Sequence, residues 1–190
     1  MKPRILCIIG LILLIIGQSL LAQGFDFLQS QSPIDFAHWA LLLGAVFLIN
    51  FNRVFPKGII NTIASSLTTI GVIASIGMCA VDILLWSYGT NYESRDAVVS
   101  QLFNTPSLYL PFFVIGPSCL YIGLSFHAWQ FIRTHPISSL MTLIGSLLVG
   151  VGLMVFQHGI MMILGIVLFA AGLIALLYRK EEQEVMVKMA

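Results

Sequence analysis

The chain has 190 residues, of which 58% are hydrophobic and 9% charged, with a mean hydropathy of +0.99 and a net charge of +1. Such a composition excludes an ordinary soluble domain, and the dispersal of the basic residues excludes a nucleic-acid surface. Six apolar runs of about 20 residues use about 120 positions, so little remains for a separate soluble catalytic domain.

The runs are 5–22, 33–52, 59–88, 108–132, 137–156 and 160–178. Basic residues occupy alternate connections between them. Lys2 and Arg4 precede the first run, Arg53 and Lys57 follow the second, Arg133 follows the fourth, and Arg179, Lys180 and Lys188 follow the sixth. Only Arg95 lies on the other side. Cytoplasmic loops retain Lys and Arg, so this pattern predicts an all-α bundle of six transmembrane helices with both termini cytoplasmic. The expected location is the plasma membrane, of the bacterial inner-membrane type. Residues 1–180 read as one integral membrane domain and 181–190 as a short cytoplasmic tail.

In chain order, the first run follows Lys2 and Arg4 and ends near Ala22, in the manner of a signal peptide. Leu20 is poor for the small residue expected two positions before a cleavage site, so the run is read as a retained span. Ser32-Pro33-Ile34-Asp35 opens the second span with a cap, a proline suited to the first helical position and a carboxylate for free backbone donors. His38 and Trp39 follow at the outer interface, and Asn50, Phe51 and Asn52 end the helix. The third run is long enough to tilt or to protrude as far as 86–88. Ala64, Thr68, Gly71, Ser75, Cys79 and Asp82 share one of its faces. Small residues let helices approach closely in lipid, so this span is expected to be central and the most shielded from lipid.

The outer loop 89–107 contains Val98, Val99, Leu102 and Phe103 at the spacing of a short interfacial helix. In the fourth span, Pro117 removes a backbone donor and predicts a kink. His127, Trp129, Gln130, Arg133 and His135 read as anchors at the inner headgroups. The last two spans form a glycine-rich hairpin closed by Gln157-His158-Gly159. Cys7, Cys79 and Cys119 lie within spans without paired spacing, which argues against disulfides or a zinc module and for packing roles.

Asp82 is the most informative polar residue, because a carboxylate in hydrocarbon must be paired, protonated or turned to a polar cavity. The predicted topology brings His38 and His158 to its level. Asp82, His38 and His158 together could bind a metal ion or relay a proton. Taken singly, each histidine reads more simply as an interfacial hydrogen-bonding group, and Asp35 is assigned to helix capping. A haem between His38 and His158 is conceivable, but no cofactor is predicted.

Ser118 in Gly116-Pro117-Ser118-Cys119 is a weaker candidate. A serine on the fourth span and a histidine at the sixth resemble the arrangement of rhomboid intramembrane proteases. That family has glycine where this chain has Cys119, a histidine within the helix where His158 lies on a turn, and a His-x-x-x-Asn that does not follow His38. Membership is not claimed, and Ser118 reads as a packing serine beside a proline.

The leading expectation is a non-enzymatic multi-pass membrane protein acting through helix and lipid contacts, as a small subunit or accessory of a larger assembly. Its partners would be the lipid bilayer and other membrane proteins or further copies of itself. The alternative is a membrane-embedded metal or proton-relay site on Asp82, His38 and His158, with enzymatic activity conceivable. A small transporter or channel comes third, since no repeated halves are visible.

Overall fold

The computed structural model describes residues 2–152 and 159–189, the backbone alone from 179 onward. The regular structure of the described residues is all helical, without strands. In order they form α1 (Pro3–Leu21), α2 (Phe25–Ser30), α3 (Phe36–Leu48), α4 (Phe51–Val54), α5 (Ile59–Ser87), α6 (Tyr92–Phe103) and α7 (Pro106–Tyr109). A π-helical segment, Leu110–Ile115, leads into α8 (Gly116–Trp129), followed by α9 (Pro136–Val151) and α10 (Gly159–Met189).

Among the described residues, five helical stretches are long and apolar enough to cross a membrane: Pro3–Leu21, Phe36–Val54, Ile59–Ser87, Pro106–Trp129 and Gly159–Tyr178. The sixth apolar run appears as α9, whose 16 residues span about 24 Å, short of the roughly 30 Å hydrocarbon core. The helices close a ring in chain order, α1 against α3, α3 against α5, α5 against α8, α8 against α9, α9 against α10 and α10 against α1. Asp82 lies toward one end of the ring, hereafter the Asp82 end, and Arg53, Lys57 and Arg133 lie at the other.

Three tight pairs build this ring. Between α5 and α8 the backbones touch, because a Cβ on Gly71 would lie 2.2 Å from the backbone nitrogen of Leu120. Between α9 and α10, a Cβ on Gly145 would lie 2.4 Å from the backbone nitrogen of Phe169. Gly10 of α1 and Gly44 of α3 meet in the same way. Small residues at these crossings permit the dispersion contacts that hold helices together in lipid. Leu11, Leu48, Leu120, Ile166, Phe169 and Leu173 fill the space between pairs.

Several sequence expectations need correction. The second span starts at Phe36, with Asp35 as its cap accepting from the His38 N–H at 3.1 Å, because Ser32 and Pro33 lie in the preceding turn. The helical path also resumes beyond Leu48, so Phe51 and Asn52 belong to α4. The stripe from Ala64 to Cys79 on α5 is buried as expected, but α5 is not the most shielded helix. A third of its apolar window is buried, against half for Phe36–Val54, because Ile63, Ile70, Ile73 and Leu84 cover its opposite face and point outward.

The long third run does protrude. Trp86 Nε1 donates to the Leu28 carbonyl at 3.0 Å and Gln29 Nε2 donates to the Trp86 carbonyl at 3.0 Å, so α2 clasps the end of α5. The outer helix α6 begins earlier than expected, at Tyr92, capped by Asn91. Arg95 lies 3.9 Å from the centre of the Phe25 ring, tying α6 to α2. The irregularity foreseen at Pro117 is a π turn just before it, where the Gly116 N–H bonds the Pro111 carbonyl five residues back. Gly116 packs so closely on Ala74 that any side chain would collide with it, which holds this widened turn against α5.

Candidate acid–base site

Asp35, His38 and Asp82 meet at the Asp82 end of the bundle. The N-terminus of α3 sets the first two: as helix cap, Asp35 uses Oδ1 for the His38 backbone N–H, leaving Oδ2 2.5 Å from His38 Nδ1. On the opposite edge of the ring, Nε2 lies 3.6 Å from Oδ2 of Asp82. The packing of α5 on α3 supplies that second carboxylate.

Exposure differs along this row. The Asp35 side chain is 1% exposed, that of His38 10% and that of Asp82 26%. Asp82 is thus the most exposed member of the row and Asp35 the most enclosed. An ionised Asp35 can only accept hydrogen bonds, which favours the tautomer with the proton on Nδ1 and leaves Nε2 facing Asp82, beyond direct hydrogen-bond distance.

The polar row continues inward along α5. Cys79 and Ser75 lie one and two turns below Asp82 and line a cavity of about 80 Å³ with Gln18 and Tyr121. That volume accommodates a few water molecules.

His158 lies outside the described residues, so the convergence expected for it has no structural counterpart here. Asp35 was missed as a site residue, because a capping carboxylate has a second oxygen whose direction only the fold decides. Since Asp35 and Asp82 lie on opposite edges of one ring, the three residues do not converge on a single point. Among the described residues, no three His, Cys, Asp or Glu side chains are arranged to hold a metal ion. Haem ligation at His38 would require displacing one of the carboxylates.

Ser118 spends its hydroxyl on its own helix, donating to the Val114 carbonyl at 2.7 Å. His127 is not a headgroup anchor, since it is fully buried. Its Nε2 lies 3.2 Å from Asn52 Oδ1, and the rings of Phe51 and Phe55 close over it. Asn52 Nδ2 in turn donates to Thr69 Oγ1 at 3.2 Å. The chain turn through α4 carries these aromatic rings inward, whereas Trp129 remains half exposed as an interfacial residue should.

Comparison with protein families, curated proteins and solved structures gives no significant match. The geometry of the side chains therefore carries the functional reading.

Proposed function

We propose that this is a proton-handling integral membrane protein, in which Asp82 and His38 exchange a proton at one membrane face and Asp35 fixes the imidazole. The observation that carries this reading is the placement of His38 between two carboxylates, one fully buried and one partly exposed. The small cavity below Asp82, where Gln18, Ser75 and Tyr121 stand among mostly apolar side chains, has room for the few waters that a relay toward the bundle interior would use. The same reading counts α9 as a sixth, short span. It places both termini with Arg53, Lys57 and Arg133 on the cytoplasmic side of a bacterial inner membrane, with 181–190 as a tail.

The test is ¹⁵N NMR of the full chain, histidine-labelled and held in lipid nanodiscs, across the pH range in which the fold survives. His38 Nε2 is expected to change protonation state within that range. Asp82→Asn should keep the fold, because the amide retains hydrogen-bonding capacity, and should move the midpoint of the His38 transition. A His38 ring that holds one protonation state throughout would refute the reading.

A second reading, an accessory subunit acting through protein contacts, is favoured by α6. None of its 12 residues is buried, and it presents Glu93 and Asp96 outside the ring. Mild-detergent purification followed by mass spectrometry separates the two. A stoichiometric membrane partner or self-association released by shortening α6 supports the accessory role.

A further inference from the structure

Asp82, Ser75, Thr68 and Asn61 recur at every seventh residue of α5 and therefore share one face. That face is turned into the bundle, because Ser75, Thr68 and Asn61 are all buried. From Asn61 to Asp82 the helix rises about 32 Å, close to the roughly 30 Å of the hydrocarbon core. A row of polar side chains thus runs the depth of the membrane. It lies against α8, where a Cβ on Gly123 would stand 2.6 Å from Thr68 Oγ1.

The half of this seam away from Asp82 holds polar atoms without partners. Thr68 Oγ1, Ser65 Oγ and Asn61 Oδ1 on α5, and Gln130 Nε2 just past the end of α8, are buried with no hydrogen bond. Buried polar atoms are rarely left unpaired, and ordered water is the usual partner where protein supplies none. The chemistry of the set favours water over a metal cation. The Asn61 oxygen accepts, the Gln130 nitrogen donates and the hydroxyls do both, whereas a cation needs acceptors alone. Between the two halves stands one constriction. Ser75 and Leu120 line the cavity below Asp82, and Gly71 presses on the Leu120 backbone, with a Cβ there only 2.2 Å from its nitrogen. No water fits between backbones in contact, so the row is interrupted between Ser75 and Thr68.

We infer that the α5–α8 seam is a transmembrane proton path, hydrated on both sides of the Gly71–Leu120 contact and closed at that contact. The inference rests on the proton exchange proposed for Asp82 and His38 and carries it to the opposite face of the membrane. A proton released by Asp82 enters the water of the cavity. When α5 and α8 part at Gly71 it reaches Thr68, whose hydroxyl oxygen takes up one proton as it gives up another. It then leaves past Asn61 toward the end that carries Lys57 and Arg133. His127, one turn beyond Gly123 on α8, is tied to Asn52 through Nε2, so the path runs through the oxygen atoms of α5 and the water they hold.

The experiment places the full chain in liposomes containing a pH-sensitive dye and drives protons inward with a potassium diffusion potential. Acidification is expected to exceed that of protein-free vesicles. Thr68→Val, which keeps the shape and removes the hydroxyl, should lower the flux about tenfold, and Thr68→Ser should retain it. Ser146→Ala, on α9 and away from the seam, should leave it unchanged. Flux no greater than that of empty vesicles, or equal in Thr68→Val and the parent, overturns the path. Where Thr68→Val fails to fold, water-edited solid-state NMR of the unsubstituted protein decides the matter. Water contact is expected at Asn61 and Thr68 and not at Leu120, and a dry Asn61 and Thr68 would overturn the path. A His38 ring that titrates without any flux would refute the path and leave the proton-handling reading standing.

Discussion

Asp35 holds His38 by two bonds from one carboxylate, the backbone N–H at 3.1 Å and ring Nδ1 at 2.5 Å. One side chain thus begins α3 and sets which ring nitrogen faces Asp82. Structure and chemistry are tied at a single residue, and a conservative substitution separates them.

Asp35→Asn should leave stability nearly unchanged, because Asn and Asp are comparable helix caps and the amide oxygen can still accept from the His38 N–H. The amide NH₂ then faces Nδ1 and demands an acceptor there. The proton is expected to move to Nε2, reversing the tautomer. Nitrogen-15 shifts of the ring read this directly, and a ring still protonated at Nδ1 would contradict the role assigned to Asp35. Asp35→Ala should instead lose the cap as well, lowering stability by about 0.5–2 kcal/mol.

Gly71 tests the packing stripe. Even a methyl group there would collide with the Leu120 backbone, so Gly71→Leu must push α5 and α8 apart. The expected cost is at least about 1–3 kcal/mol. Leu67 is half-buried one turn away, and Leu67→Phe should be tolerated far better. Fluorescence-detected size exclusion after graded heating compares the two, and equal loss of the monodisperse peak would mean that the close approach is not required.

The features legible in the sequence are those set by local pattern. Apolar runs marked the helices because a span must be apolar along its whole length. The stripe from Ala64 to Cys79 could be read because helical periodicity places those residues on one face whatever they meet. Depth alone brought His38 and Asp82 together. What escaped depends on how elements dock. Nothing in the spacing says that a second Asp35 oxygen reaches a ring, or that Phe51 and Phe55 fold back over His127. The π turn before Gly116 likewise reflects contact with Ala74, and α2 was hidden because its six residues lie outside every apolar run.

Topology can be read from single cysteines. The proposed arrangement puts both ends of the chain with Arg53, Lys57 and Arg133, so a cysteine at Gln183 should react with a membrane-impermeant maleimide only after the membrane is opened. One at Ser100, on α6, should react in intact cells. The background must lack Cys7, Cys79 and Cys119. Labelling of the Gln183 position in sealed cells would reverse the orientation.

The buried pair at the opposite end should matter for stability alone. His127 Nδ1 has no hydrogen-bond partner, so the Asn52 contact at Nε2 is its one described polar bond. Asn52→Ala strands both ring nitrogens in an apolar enclosure and also removes the donor to Thr69. A buried polar group left unsatisfied costs about 1–3 kcal/mol, which should appear as a clear fall in thermal midpoint. Replacing both partners, Asn52→Leu with His127→Phe, should recover much of that loss, because the bond and the desolvated groups disappear together. If Asn52→Ala unfolds at the same temperature as the parent protein, the contact contributes nothing and His127 is satisfied by aromatic packing alone.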